Sequence, residues 1–259
     1  MYSELIIRPK ALEGKVLYPD LARKIVSEAV LSQKVKIPNL IFNRHENGKS
    51  IEGRFFHEDP NHITAKLAKP PVVSFDGGKG FIRLYMLGKT GRDLMAETAQ
   101  LLSSAIAKHV GGPYGFSMNE GMCKLSVRDN PVLYNTRRLM MTKSRDNNRK
   151  YENVAPHDIS DEIRRVILKG LISQAKWLDE DTNGECSYEH LIPDENSLGF
   201  YIAEGKSCLI MIDEKNFGSG YKNLSFSMNL EMTGPWAAGM LRSKGCGKIS
   251  KLILREQHD

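Results

Sequence analysis

The chain is poor in most of the features that announce a specialised class of protein. Its 259 residues hold four cysteines, Cys123, Cys186, Cys208 and Cys246, and no two stand at the short spacing of a zinc-ligand pair. Scattered thiols of this kind read as reduced cysteines of an intracellular protein rather than as a disulfide framework. No apolar run approaches the roughly 20 residues that a membrane helix needs. The start, Met1 to Arg8, has too short an apolar stretch for a secretory signal. The expected setting is the cytoplasm, with no membrane partner. There is no internal repeat and no low-complexity segment. One local absence stands out: from Gly234 to Lys248 there is no acidic residue at all.

What is present bounds the rest. At 41% hydrophobic residues the chain can bury a real core, and its length suits one large domain or two of ordinary size. The formal net charge is +6. A basic balance favours a polyanionic partner and says nothing about fold.

Periodicity divides the chain. Leu5, Ile6 and Ile7 predict a short strand. Tyr18-Pro19-Asp20 opens a helix with Leu21, Ile25, Val26, Ala29 and Val30 at helical spacing. Leu40 to Phe42 predicts a second strand, and Asn43 to Pro71 a long loop or irregular hairpin. Val72 to Phe75 and Phe81 to Leu87 bracket an Asp-Gly-Gly turn signal. A helical stripe from Leu94 to Val110 follows, closed by Gly111-Gly112-Pro113. Strand, helix, strands, helix is most of a ferredoxin-like β-α-β-β-α-β unit. Its missing last strand is expected at Met122 to Val127, with the glycine-rich stretch Gly111 to Gly121 as the domain boundary.

The second half repeats the theme. Strands are expected at Met122–Val127 and Leu139–Met141. A helix is expected from Ile159 to Leu178, led by Asp158, Asp161 and Glu162, which suit a helix start. Further strands are expected at Phe200–Ala203 and Cys208–Ile212. In Leu224, Phe226, Met228, Leu230 and Met232 the alternation is that of a strand with one buried face. Gly234-Pro235 ends it, and Ile249 to Leu254 could re-enter the sheet. The expected fold is therefore α+β, two tandem ferredoxin-like (RRM-like) domains. Domain one spans 1–115. Domain two spans 116–259, elaborated by a basic helical insertion (about 135–181) and a Gly-rich loop (234–248).

Two stretches could carry chemistry. Arg137 to Lys150 holds six cations, Arg137, Arg138, Lys143, Arg145, Arg149 and Lys150, against one acid, Asp146. The helix after it adds Arg164, Arg165, Lys169 and Lys176. Such a cluster is either a solvated face or a nucleic-acid patch; arginine suits the latter because its fork engages phosphate with two hydrogen bonds and stacks on bases. The second stretch interleaves Gly239, Gly245 and Gly247 with Arg242, Lys244 and Lys248. It is either a charged hairpin turn or a site where backbone approaches an anion closely, its N–H groups free.

Strand, Gly-Pro, then Ala-x-Gly-x-Leu-Arg-Ser-x-Gly-x-Gly-Lys over Leu224 to Leu254 resembles the C-terminal glycine-rich loop of CRISPR repeat-processing endoribonucleases of the RAMP superfamily, best its type IV branch. The resemblance implies two ferredoxin-like units in tandem and cleavage of pre-crRNA at a repeat stem-loop. On the same resemblance, attack would come from the 2′-OH on the adjacent phosphate and leave a 2′,3′-cyclic phosphate, with no metal and no cofactor expected. It implies retention of the crRNA product and partnership with other subunits of a CRISPR ribonucleoprotein. Arg242 and Arg23 would hold the scissile phosphate and stabilise its developing charge, since arginine is a poor proton acceptor. His45 lies nearest the place, just after the first helix, where this family often keeps a histidine, and histidine titrates in the right range for a general base. Tyr18 is a further candidate. RNA contact would fall to Arg137, Arg138, Arg145, Arg149, Arg164, Arg165 and Lys169, and to Gly239, Ser243, Lys244, Gly245, Gly247 and Lys248 of the loop. A non-catalytic crRNA-binding subunit of the same superfamily would share fold and loop, and a DNA- or tRNA-binding module is a third possibility.

Two apparent motifs are set aside. Gly88-Lys89-Thr90 after a strand echoes a phosphate-binding loop, but the required upstream glycine is Arg83. His57-Glu58-Asp59 and His62 match no metal-site spacing.

Overall fold

The structure, a computed structural model, describes residues 1–33, 42–44, 50–52, 72–142, 149–182, 198–211, 217–240, 242 and 245–252. The chain divides into two units. The first is Met1–Met122 with Trp177–Cys186 and Ser243–Gly245; the second is Cys123–Lys176, Ser187–Arg242 and Cys246–Asp259.

In the first unit, apolar alternation and helical stripes assemble one layered core. β1 (Tyr2–Pro9) buries Leu5, Ile6 and Ile7. α1 (Pro19–Ser32) begins with Pro19 at a position whose N–H would have no helical partner anyway, and it buries Ala22, Val26, Ala29 and Val30. A small antiparallel hairpin, β2 (Phe42–Arg44) and β3 (Ser50–Glu52), follows. β4 (Val73–Gly78) and β5 (Phe81–Leu87) form a second hairpin, and α2 (Gly88–Val110) leaves β5 with no intervening loop. Gly111, at φ +86°, stops α2 by donating its N–H to the carbonyl of Ala107. The sheet order is β4-β5-β1-β6, all antiparallel, where β6 is Tyr114–Gly121. Residues of α1 and α2 share one buried cluster with those of β1, β4 and β5.

Two expectations are corrected here. The turn between β4 and β5 is Lys79-Gly80, with Gly80 at φ +76°; Gly77 and Gly78 are paired inside β4. The unit's last strand is not Met122–Val127 but β6, inside the stretch expected as a boundary. β6 is a largely exposed edge strand held by its backbone ladder to β1, so it carries no apolar alternation to read.

The second unit holds a sheet of order β10-β7-β9-β8, again antiparallel. β7 (Lys124–Thr142) is one long strand where two short ones were expected. Its register shifts between Val127 and Val132, around Pro131, a residue that strands tolerate at bulges. A 3-10 turn at Pro156–Ile159 leads into α3 (Ser160–Asp181). β8 (Phe200–Met211) is likewise continuous, with irregularities on both sides of Glu204 that hid the alternation. β9 (Phe217–Thr233) is the central strand, and β10 (Ser250–Lys251) is shorter than the apolar pattern suggested.

The stretch expected as a basic helical insertion therefore has a different make-up. Residues 135–142 are the end of β7, and α3 buries Ile163, Ile167, Leu168, Leu171, Ala175 and Leu178. Topologically α3 is the crossover from β7 to β8. In each unit the sheet runs last strand, first, third, second. In the first unit α2 links third to last; in the second, the glycine-rich segment after β9 does so. Among the described residues no helix is long and apolar enough to cross a membrane.

Candidate nucleic-acid interface

The segment after β9 is tied down at several points. Trp236 is fully buried and donates its indole N–H to the carbonyl of Thr233 at 2.8 Å. Gln174 on α3, itself buried, donates to the carbonyl of Pro235 at 3.0 Å and accepts from the Ala237 N–H at 3.3 Å. Gly170, one turn earlier, lets the helix approach: a Cβ there would sit 2.6 Å from Ala238 Cα. The loop then runs along the edge of β7. Met240 N–H donates to the carbonyl of Met140 at 3.0 Å, and Gly247 N–H to the carbonyl of Arg138 at 2.6 Å.

The glycines serve this packing. Gly239, Gly245 and Gly247 all have φ between +71° and +79°. A Cβ at Gly247 would meet Ala238 O, one at Gly239 would meet Met140 O, and one at Gly245 would meet Pro19 Cβ at the start of α1. The sequence reading had their N–H groups free for a ligand; that of Gly247 is taken by Arg138. The small residues make room first for protein backbone, which sequence spacing cannot distinguish from room for phosphate.

Of the predicted catalytic residues, Arg242 is 5% exposed, in the second unit. Arg23 is half-buried on α1 of the first unit, one turn beyond exposed Tyr18. His45 lies outside the described residues, as do Arg145, Ser243 and Lys244 and the set-aside His57–His62 group. Among the described residues no three His, Cys, Asp or Glu gather as a metal site.

Several cations of the basic tract have acidic or aromatic partners. Arg149 pairs with Glu152 at 3.0 Å and lies over the Phe217 ring, and Lys150 reaches Glu162 at 2.9 Å. Arg164 faces Asp161 at 4.0 Å. Glu162 also accepts from the Tyr151 hydroxyl, and these bonds hold its carboxyl below the usual range. These cations are partly neutralised. Arg165 and Lys169 are exposed on α3, and Arg137 and Arg138 on β7.

Arg138 has neighbours that the sequence reading missed. Lys222 on β9 lies directly opposite Arg138, and Lys206 on β8 lies directly opposite Lys222. All three are exposed. In the next row Met140, Gly220 and Cys208 stand side by side, covered by Cys246. Burial pushes the Cys208 thiol up, while Lys222 and Arg138 pull it back. Arg138 is more than 60 residues from either lysine in sequence, so only strand register reveals the row.

The phosphate-loop echo has a structural answer within the first unit. Thr90 at the start of α2 donates its N–H to an Asp181 carboxylate oxygen at 3.1 Å and its hydroxyl to the other. A carboxylate of the chain itself occupies the anion position of this helix end.

A family model described as "Type IV CRISPR-associated endonuclease Csf5" matches residues 3–253. Among solved structures, "Csf5, CRISPR-Cas type IV Cas6 crRNA endonuclease" is similar at TM-score 0.60 and 15% identity, covering 97% of this chain and 99% of that one. A second, "Crystal structure of Cas6b", is similar at TM-score 0.58 and 15% identity, covering 97% and 100%. At such identities the likeness concerns the fold. No curated protein sequence matches.

Proposed function

The chain belongs to the family of type IV CRISPR-associated endonuclease Csf5, and from that membership we propose that it binds the stem-loop of a CRISPR repeat RNA and cleaves pre-crRNA to mature crRNA in the cytoplasm. The family match across residues 3–253 carries this reading. The cut is a transesterification. The 2′-oxygen attacks the adjacent phosphorus, its proton passes to a base, and the P–O5′ bond breaks. The products are a 2′,3′-cyclic phosphate and a 5′-hydroxyl. The nucleophile is internal to the RNA, so the step needs a base, an acid and charge stabilisation rather than a metal.

Arg242 and Arg23 take the phosphate, and His45 is the proposed base. Arg137, Arg138, Arg145, Arg149, Arg164, Arg165 and Lys169 hold the RNA backbone, together with Ser243, Lys244 and Lys248; Gly239, Gly245 and Gly247 set the loop's course. The product stays bound and enters a larger ribonucleoprotein. The common strand order of the two sheets supports reading each unit as ferredoxin-like.

The test is incubation of the purified protein with repeat RNA in EDTA. Cleavage to a cyclic-phosphate end is expected, and a requirement for added magnesium sinks the mechanism. The burial of Arg242 favours a second reading, in which that arginine only shapes the loop and the chain is a crRNA-binding subunit without activity. Absence of any cleavage by a protein that binds repeat RNA tightly would select it.

A further inference from the structure

Like charges placed directly opposite each other across a sheet are destabilising. The second sheet nonetheless carries Arg138, Lys222 and Lys206 in one transverse row. The in-and-out alternation of both strands breaks at this row. Buried Thr136 and Leu139 are separated by two exposed residues, Arg137 and Arg138, instead of alternating in and out. Beside them buried Tyr221 and Leu224 are separated by Lys222 and Asn223, and Asn223 sits at φ +50°, uncommon for a residue with a side chain. Elsewhere on β9 a cation pair is neutralised: Glu231 holds both Lys251 and Arg128. Lys222 and Lys206 make no ion pair among the described residues. Glu204, on the same strand as Lys206, accepts from Ser225, the residue opposite it on β9.

Two lysines kept face to face against their own repulsion, in line with Arg138, fit an anion that spans the row. Neighbouring strands are about 4.8 Å apart, so the three side chains cover roughly 10 Å. That is a track for successive charges and more than a single phosphate needs. Tyr201, on the same strand as Lys206, is 64% exposed. It lies five residues along β8 from Lys206, about 16 Å at strand rise, with its ring 6.4 Å from that of His157, and an exposed aromatic is what unpaired bases stack on. Duplex RNA hides its base faces and offers no such partner.

We infer that Arg138, Lys222 and Lys206, with Tyr201 five residues further along β8, form a binding track for a single-stranded RNA segment that crosses the strands of the second sheet and turns along its edge strand. The inference rests on the proposed RNA-processing role and adds the substrate's single-stranded part to it. It assigns specificity to Lys206, Lys222 and Tyr201, which lie outside the glycine-rich loop and α3.

The test titrates a short unstructured RNA oligonucleotide, fluorescently labelled, against the full chain over a range of salt. The double variant Lys206→Gln with Lys222→Gln should flatten the plot of log affinity against log salt by about 1.4, at about 0.7 per phosphate contact. Tyr201→Ala should weaken binding at least about five-fold. An unchanged slope in the double variant overturns the inference, as does wild-type protein that fails to bind the oligonucleotide. Relief of repulsion should leave the double variant's Tm no lower than wild type; a lower Tm makes the lysines structural and also overturns it. A wild type that binds with the expected slope but never cleaves repeat RNA defeats the proposed function alone.

Discussion

Gly247 and Ala238 share a space that only a glycine can leave open: a Cβ on Gly247 would lie 1.6 Å from the Ala238 carbonyl oxygen, while Ala238 N–H donates to Gly247 O at 2.9 Å. The two residues clamp the ends of the loop that carries Arg242. Gly247 is also at φ +71°, which an alanine adopts only with strain. Gly247→Ala should therefore cost more than about 2 kcal/mol of stability. Gly199→Ala, whose Cβ would meet its nearest atom at 4.0 Å, should stay within about 0.5 kcal/mol. Urea unfolding of both variants compares them. Equal stability would mean the loop does not hold this course.

Asp181 caps α2 from a distant part of the sequence, and its removal should be felt there. Asp181→Ala strands the Thr90 N–H and hydroxyl at the helix start and should cost about 1 kcal/mol. Asp181→Asn keeps an acceptor but loses the charge, so it should recover part of that. Denaturant midpoints of the two variants give the comparison, and an alanine variant as stable as wild type would rule out the cap.

What could be read from the sequence is what local rules govern. α1 declares itself through Pro19 and its apolar stripe, α2 through its closing glycines, and β9 through strict alternation from Leu224 to Met232. Edges and irregular strands could not be read. β6 is held by backbone bonds and shows water most of its side chains. β7 and β8 break alternation at Pro131 and Glu204 yet stay continuous, because the ladder to β9 spans the break. The site divides the same way. Arg242, Gly245 and Gly247 are close in sequence, so spacing alone singles them out as candidates. Lys222 and Lys206 belong to the surface around Arg138 only through register, which no spacing rule reports.

Tyr221 gives the second unit a pH signature. It is fully buried, donates its hydroxyl to the carbonyl of Val154 at 3.2 Å, and burial pushes its ionisation up to about 12 from 10.0. The folded state therefore holds the proton longer than the unfolded chain. Stability that is intact below pH 10.0 should fall as pH rises toward about 12, because the unfolded state releases its proton first. Tyr221→Phe should flatten that alkaline limb while losing about 1 kcal/mol at neutral pH with the hydrogen bond. Thermal unfolding from neutral to alkaline pH measures both. An alkaline limb identical in the variant would place its origin elsewhere.

Arg242 and Arg23 can be told apart from mere scaffolding by separating binding from chemistry. If each stabilises charge on the phosphate only as the 2′-oxygen attacks, alanine at either position should lower the single-turnover cleavage rate by about 100- to 1000-fold, the range for losing one transition-state donor. Affinity for uncleaved repeat RNA should change far less, because the contact strengthens on the way to the transition state. Lysine should rescue poorly at either site, since an ammonium cannot reproduce the two-pronged fork of guanidinium on phosphate. Arg242 is buried, so its variants also need an unfolding measurement. A rate loss matched by a comparable fall in stability would assign Arg242 to the loop's architecture. A rate loss at full stability assigns it to the phosphate. Arg23 is half-buried on a helix whose core residues are others, so its alanine variant should keep its Tm and lose rate alone.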